Sequence, residues 1–159
     1  MITHQASPVD PGCGICALHA NAKHLAQHEI WRNDRWILRH HPDPAPLLGW
    51  CLLDAVRHLS GPSSFQPDEA MEWGLIVQQA STLVQSLSGC DRVYAIAFGE
   101  GARHLHLHLI PRFADDPRTK AWTVADHYRG VEAGLVPAVP TVNVEAWVNG
   151  ARLVAATWC

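Results

Sequence analysis

Ten residues, Arg103-His-Leu-His-Leu-His-Leu-Ile-Pro-Arg112, hold the densest chemistry in the chain, with His104, His106 and His108 alternating with Leu105, Leu107 and Leu109. Successive side chains of a β-strand point to opposite faces, so the histidines share one face and the leucines the other. Imidazole titrates near neutrality and serves as nucleophile, hydrogen-bond donor and metal ligand. A second group is Cys13-Gly-Ile-Cys16. This C-x-x-C spacing suits half of a zinc site or a redox dithiol. A thioredoxin-like dithiol lies between a strand and a helix, and nothing before Cys13 reads as a strand.

Reach divides the histidines. Same-face neighbours on a strand are about 7 Å apart, which separates His104 from His108 by roughly 13 Å. Zinc takes nitrogen at about 2.0–2.1 Å, so at most two neighbours can share one ion. Cys13, Cys16, one upstream His and one triplet His would close a tetrahedral two-Cys, two-His site. Such a site is structural, because no coordination position stays open for water. His58 suits the upstream place and His104 the other, which leaves His106 and His108 adjacent and metal-free; His19, His24, His28 and His41 are rival ligands. A neutral His106 can then attack phosphorus while His108 donates hydrogen bonds to the phosphoryl oxygens. Arg103 and Arg112 flank the run, and Gly99 and Gly101 sit in the turn before it. These four are the candidate substrate contacts.

The surrounding elements follow from pattern. Glu29 to Arg39 places apolar and aromatic residues on both sides of Asn33-Asp34, which predicts a β-hairpin. Leu47 to Val56 reads as a buried strand leading into Arg57-His58. From Pro67 to Leu87, Trp73, Ile76, Val77, Ala80, Leu83, Val84 and Leu87 form a helical stripe, with Pro67 first, acidic Asp68 and Glu69 following, and Gly89 ending it. Arg92 to Phe98 and His104 to Ile110 read as antiparallel strands, with Pro111 ending the ladder. Short helices are expected over Ala17–Gln27 and Val124–Glu132. Asn149-Gly150, between Val142–Trp147 and Ala151–Ala155, predicts a second hairpin. The class is α+β.

The chain has 159 residues, long enough for one domain with its own core. A net charge of −3 provides no field for nucleic acid or an anionic membrane surface. The first residues, polar and carrying Pro8 and Pro11, predict an irregular lead-in without signal-peptide character, and no apolar run is of membrane-spanning length. The expected location is the cytoplasm. Five cysteines, only two of them close in sequence, do not form a disulfide framework.

The sequence resembles the histidine triad (HIT) superfamily of nucleotide hydrolases and transferases, in its zinc-bearing branch. The resemblance rests on His104-Leu-His106-Leu-His108-Leu-Ile-Pro-Arg, on Leu48-Gly-Trp with Leu52 to His58, on the amphipathic helix between them, and on Cys13-x-x-Cys16. It implies a homodimeric HIT-like fold, a five-stranded antiparallel sheet with one long helix packed on it. It also implies that His106 attacks the α-phosphorus to give a nucleotidyl-histidine, that His108 binds the phosphate, and that Cys13, Cys16, His58 and His104 hold a structural zinc. Residues 1–112 are then the triad domain and 113–159 a C-terminal extension, packed on the same domain or on the dimer partner. Transferase relatives carry Gln in the third place, so His108 points to the hydrolase side. Zinc-bearing relatives often have Asn where this chain has Tyr94 and Glu100, and a carboxylate at 100 repels polyphosphate unless it is paired. The substrate class is a nucleotide-type phosphoanhydride, phosphoester or phosphoramidate. The competing readings are a zinc-stabilised binding or structural protein with a degraded pocket, and a metal-dependent hydrolase using His106 and His108 with an acidic third ligand.

Overall fold

The computed structural model describes residues 9 to 158; most of the expected lead-in lies outside them. Ten elements follow one another: α1 (Gly14–Ala20), α2 (Ala22–His28), β1 (Glu29–Arg32), β2 (Trp36–His40), β3 (Cys51–Ala55), α3 (Pro67–Ser88), β4 (Arg92–Ile96), β5 (His106–Arg112), α4 (Thr123–Glu132) and α5 (Thr141–Ala155). The five strands form one antiparallel sheet in the order β1-β2-β3-β5-β4. This is the α+β class with the long helix that the sequence predicts.

Period-two alternation sorts the sheet into two faces. Trp36, Leu38, Cys51, Leu53, Ala55, Leu107 and Leu109 form one core with Ile76, Ala80, Leu83 and Val84 of α3. The opposite face carries His106 across from Asp54 and His108 across from Leu52. The register therefore decides which residues are available for chemistry.

Helix α3 begins where Glu69 accepts the Gln66 N–H at 2.7 Å, and ends at Gly89 in the left-handed conformation, φ 65°. Glu69 also holds Arg57 at 2.8 Å, fixing the bend after β3 from which His58 projects.

Three sequence expectations are corrected. The region Ala17–Gln27 is two helices broken at Asn21, whose side chain accepts the His24 N–H at 3.0 Å and caps α2. Strand β5 runs through Pro111 to Arg112. Pro111 pairs with Val93, while β3 has already ended opposite Leu109, so the side that its missing N–H would have served carries no ladder. The second hairpin does not form, and Asn149-Gly150 lies inside α5. Val144, Val148, Ala151 and Ala155, one helical stripe, are all fully buried against the sheet core. Burying each valine is worth about 1.5–3 kcal/mol, which outweighs the local turn preference of Asn-Gly.

Helix α5 also reaches the other end of the chain. Arg152 donates to the carbonyls of Ala26 at 2.7 Å and Glu29 at 2.8 Å, occupying acceptors at the end of α2.

Candidate active site and metal cluster

Cys13 is the N-cap of α1 and Cys16 lies in its first turn, both of them buried. His104 has left the ladder just before β5, and the Leu105 N–H bonds instead to the Leu59 carbonyl at 2.7 Å. The four donor atoms of Cys13, Cys16, His58 and His104 lie within 4.8 Å of one another. His104 Nδ1 is 3.6 Å from Cys13 Sγ and 3.4 Å from Cys16 Sγ, and His58 Nδ1 is 3.6 Å from Cys16 Sγ. A zinc tetrahedron with sulfur at about 2.3 Å and nitrogen at about 2.05 Å has a sulfur–nitrogen edge of about 3.6 Å, so the donor set fits zinc. The outer contacts suit it as well. His104 Nε2 donates to the Ala55 carbonyl at 2.7 Å, leaving Nδ1 as the ligand atom, and His58 Nε2 faces Asp10 at 3.7 Å.

His106 and His108 stand half-buried on the open face, ring centroids 5.4 Å apart. His106 Nδ1 lies 2.6 Å from the His104 carbonyl. A carbonyl only accepts, so Nδ1 carries a proton, and in the neutral ring Nε2 keeps its lone pair. His108 Nδ1 lies 3.0 Å from the indole N–H of Trp50. An indole only donates, so His108 accepts at Nδ1 and carries its proton at Nε2. Burial holds the His108 pKa down at about 4, which keeps the ring neutral. The two adjacent rings thus adopt opposite tautomers, one offering a lone pair and the other an N–H.

Beside them lies a buried ionic network. Asp54, fully enclosed, receives Arg39 Nε at 2.6 Å and His19 Nε2 at 2.8 Å. Burial pushes the Asp54 carboxyl up, but Arg39 and the His19 hydrogen bond outweigh it and hold the pKa at about 2.

The structure brings together all four residues expected at the metal and both expected at phosphorus. The rival ligands point elsewhere: His19 to Asp54, His24 and His28 to each other with centroids 4.9 Å apart, and His41 to the Pro42 carbonyl. Among the described residues, the Cys2His2 set is the one group of three or more His, Cys, Asp or Glu placed to hold a metal. Arg112 is set apart, four residues beyond His108 on the same face, with its guanidinium on Thr119 at 3.1 Å. Glu100, Gly101 and Arg103 are exposed in the loop before β5, and Gly99 there adopts φ +76°. Sequence reasoning passed over Trp50, Arg39 and Asp54. Asp54 did leave a signal, as the one acidic residue within an otherwise apolar strand.

Solved structures share this architecture. The chain resembles a Hit-like protein involved in cell-cycle regulation from Bartonella henselae, with TM-score 0.63 and 17% identity over 93% of this chain and 99% of that one. It resembles a Zn-bound histidine triad family protein from Mycobacterium smegmatis, with TM-score 0.64 and 15% identity over 91% and 94%. A diadenosine triphosphate hydrolase from Plasmodium falciparum gives TM-score 0.59 and 14% identity over 84% and 78%. The chain has the histidine triad fold, and the resemblance read from its sequence is borne out at that level. No protein-family profile matches the sequence, and no curated protein is significantly similar to it.

Proposed function

We propose that the chain is a phosphohydrolase or nucleotidyl transferase that acts on a nucleotide-type phosphoanhydride, phosphoester or phosphoramidate through a covalent intermediate on His106. The observation that carries this reading is the pair of opposite tautomers at His106 and His108. The Nε2 lone pair of His106 forms a bond to phosphorus as the bond to the leaving group breaks, and the leaving group departs with that electron pair. The His108 Nε2–H donates to a phosphoryl oxygen as charge builds. Nδ1 of His106 keeps its proton on the His104 carbonyl, which steadies the ring as it becomes cationic. Water or another acceptor then attacks phosphorus, and the N–P bond breaks.

Zinc on Cys13, Cys16, His58 and His104 would supply folding free energy and hold the first helix to the start of β5. With four protein ligands it has no position for substrate. The fold shared with a diadenosine triphosphate hydrolase supports the substrate class.

Adenosine 5′-phosphoramidate and diadenosine polyphosphates are the first substrates to test, with rapid quench and intact mass to trap the adduct. A phosphoramidate on His106 is acid-labile and base-stable. His106→Ala is expected to abolish turnover, and His108→Ala to slow it by about 10²- to 10³-fold, the usual cost of one preorganised donor. The opposite ranking, or an active His106→Ala protein, rejects the mechanism. No turnover of any nucleotide would favour the zinc-stabilised binding protein.

A further inference from the structure

Three rings meet behind His108. Trp50 lies at the entry to β3 and is only 4% exposed; its ring centroid is 5.8 Å from His108, 5.7 Å from Tyr128 and 5.8 Å from His41. Tyr128 belongs to α4, its ring is 5.6 Å from His41, and its hydroxyl donates to Glu132 one turn along the same helix at 2.6 Å. Leu47, Ile110 and Val124 fill the remaining space. The triangle is closed, so these rings pack on one another. The Trp50 indole N–H joins this cluster to the catalytic face, 3.0 Å from His108 Nδ1.

The identity of that group matters. A hydroxyl or a second imidazole in its place could donate or accept, and His108 could then exchange tautomers. An indole N–H has no acceptor form. So long as Trp50 stays seated, the proton of a neutral His108 is confined to Nε2, the nitrogen away from Trp50.

We propose that Trp50 is the positioning residue for His108, and that α4, through Tyr128, is the seat that holds Trp50 in place. This rests on the role given to His108 under Proposed function and extends the catalytic unit into the part of the chain beyond Arg112. Trp50 touches no substrate in this arrangement. It acts only through the ring that it orients.

The direct test is nuclear magnetic resonance on the unaltered, zinc-loaded, ¹⁵N-labelled protein. A scalar coupling across the hydrogen bond is expected between Trp50 Nε1 and His108 Nδ1, with His108 in the Nε2–H form. Absence of that coupling, or a protonated Nδ1, overturns the proposal whether or not a substrate has been found, which separates its failure from failure of the functional reading. Tyr128→Ala is expected to weaken the coupling, and full retention would remove α4 from the proposal. Kinetics supply the second arm. Trp50→Phe is expected to lower kcat by about 10- to 100-fold, the range set by small misplacement of a catalytic group, with KM changed less than about twofold. In a His108→Ala background the same change is expected to cost less than about twofold, since residues that act through one another are not additive. Trp50→His, whose imidazole can donate or accept, is expected to recover only part of the rate. Equal losses in both backgrounds, or an unimpaired Trp50→Phe protein, would overturn the proposal. If Trp50→Phe does not fold, the coupling in the unaltered protein decides.

Discussion

The carbonyl of His104 accepts the Nδ1–H of His106 at 2.6 Å, while the ring of His104 closes the Cys2His2 cluster. One residue therefore joins the metal donors to the proposed nucleophile, and metal removal is expected to act on chemistry as well as on stability. The Cys13→Ser/Cys16→Ser double variant should lose its zinc and melt at a markedly lower temperature, because binding free energy at a structural site is folding free energy. Turnover should fall even at temperatures where this variant stays folded. Unchanged melting and full activity would reject the site.

Arg39 is expected to matter for stability far more than a surface arginine would. Its guanidinium is the main counter-charge to a fully buried Asp54, and breaking one side of such a pair costs about 3–5 kcal/mol. Arg39→Met should show a loss of that size in urea denaturation. Arg39→Met/Asp54→Leu, which removes both charges, should recover much of it. A single variant within about 1 kcal/mol of the parent protein would mean that the pair is not energetically coupled.

Acid sensitivity should come from His40. Its Nδ1 donates to the His41 carbonyl at 2.9 Å and its Nε2 accepts the Gly49 N–H at 2.9 Å, so a second proton would have to displace a donor. Burial holds its pKa down at about 4, against about 6.5 in the unfolded chain. Between those values the unfolded chain takes up a proton that the folded one refuses. Stability is then complete above about pH 6.5 and falls toward pH 4, by roughly 3 kcal/mol from this residue. His41 and His108, also lowered by burial, act in the same direction. Protonation of the zinc ligands adds to the loss, so the diagnostic comparison is with His40→Gln, whose stability should vary less steeply over this range. Identical slopes would show that His40 is not the source.

A homodimer is proposed. Helix α3 buries one stripe and leaves Met71 and Leu75 largely exposed, and β4 lies at the sheet edge beside a loop that exposes Phe98. Light scattering at micromolar concentration is expected to give twice the 17.5 kDa of one chain. A mass near 17.5 kDa would reject the dimer.

What the sequence revealed and what it hid divide along physical lines. The alternating His and Leu of β5, the stripe of α3 and the turn at Asn33-Asp34 are each written in consecutive residues, and all three form. The spacing limit on zinc lets at most two of the three histidines share one ion, and the strand expected from His104 begins instead at His106, which frees His104 for the cluster. Asn149-Gly150 is a strong local turn signal, but its preference is overcome by a core assembled from distant residues, Ile30 to Leu109. Trp50 and Arg39 went unrecognised for a similar reason. Each acquires its role from one cross-strand partner, His108 and Asp54 respectively, and neither pairing has a sequence period.

Helix α5 is made after every strand of the sheet as the chain leaves the ribosome. By then the metal ligands, all five strands and both proposed catalytic histidines have emerged, yet the sheet still lacks Val144, Val148, Ala151 and Ala155, and the end of α2 lacks Arg152. A nascent chain at that stage holds a complete set of chemical groups on one face of a sheet whose other, apolar face is not yet fully covered and is prone to association. Consolidation of this core waits for the last turn of α5, and Arg152 ties that helix to the end of α2, which follows directly on the helix carrying Cys16, so a change there acts on the metal ligands from far along the chain.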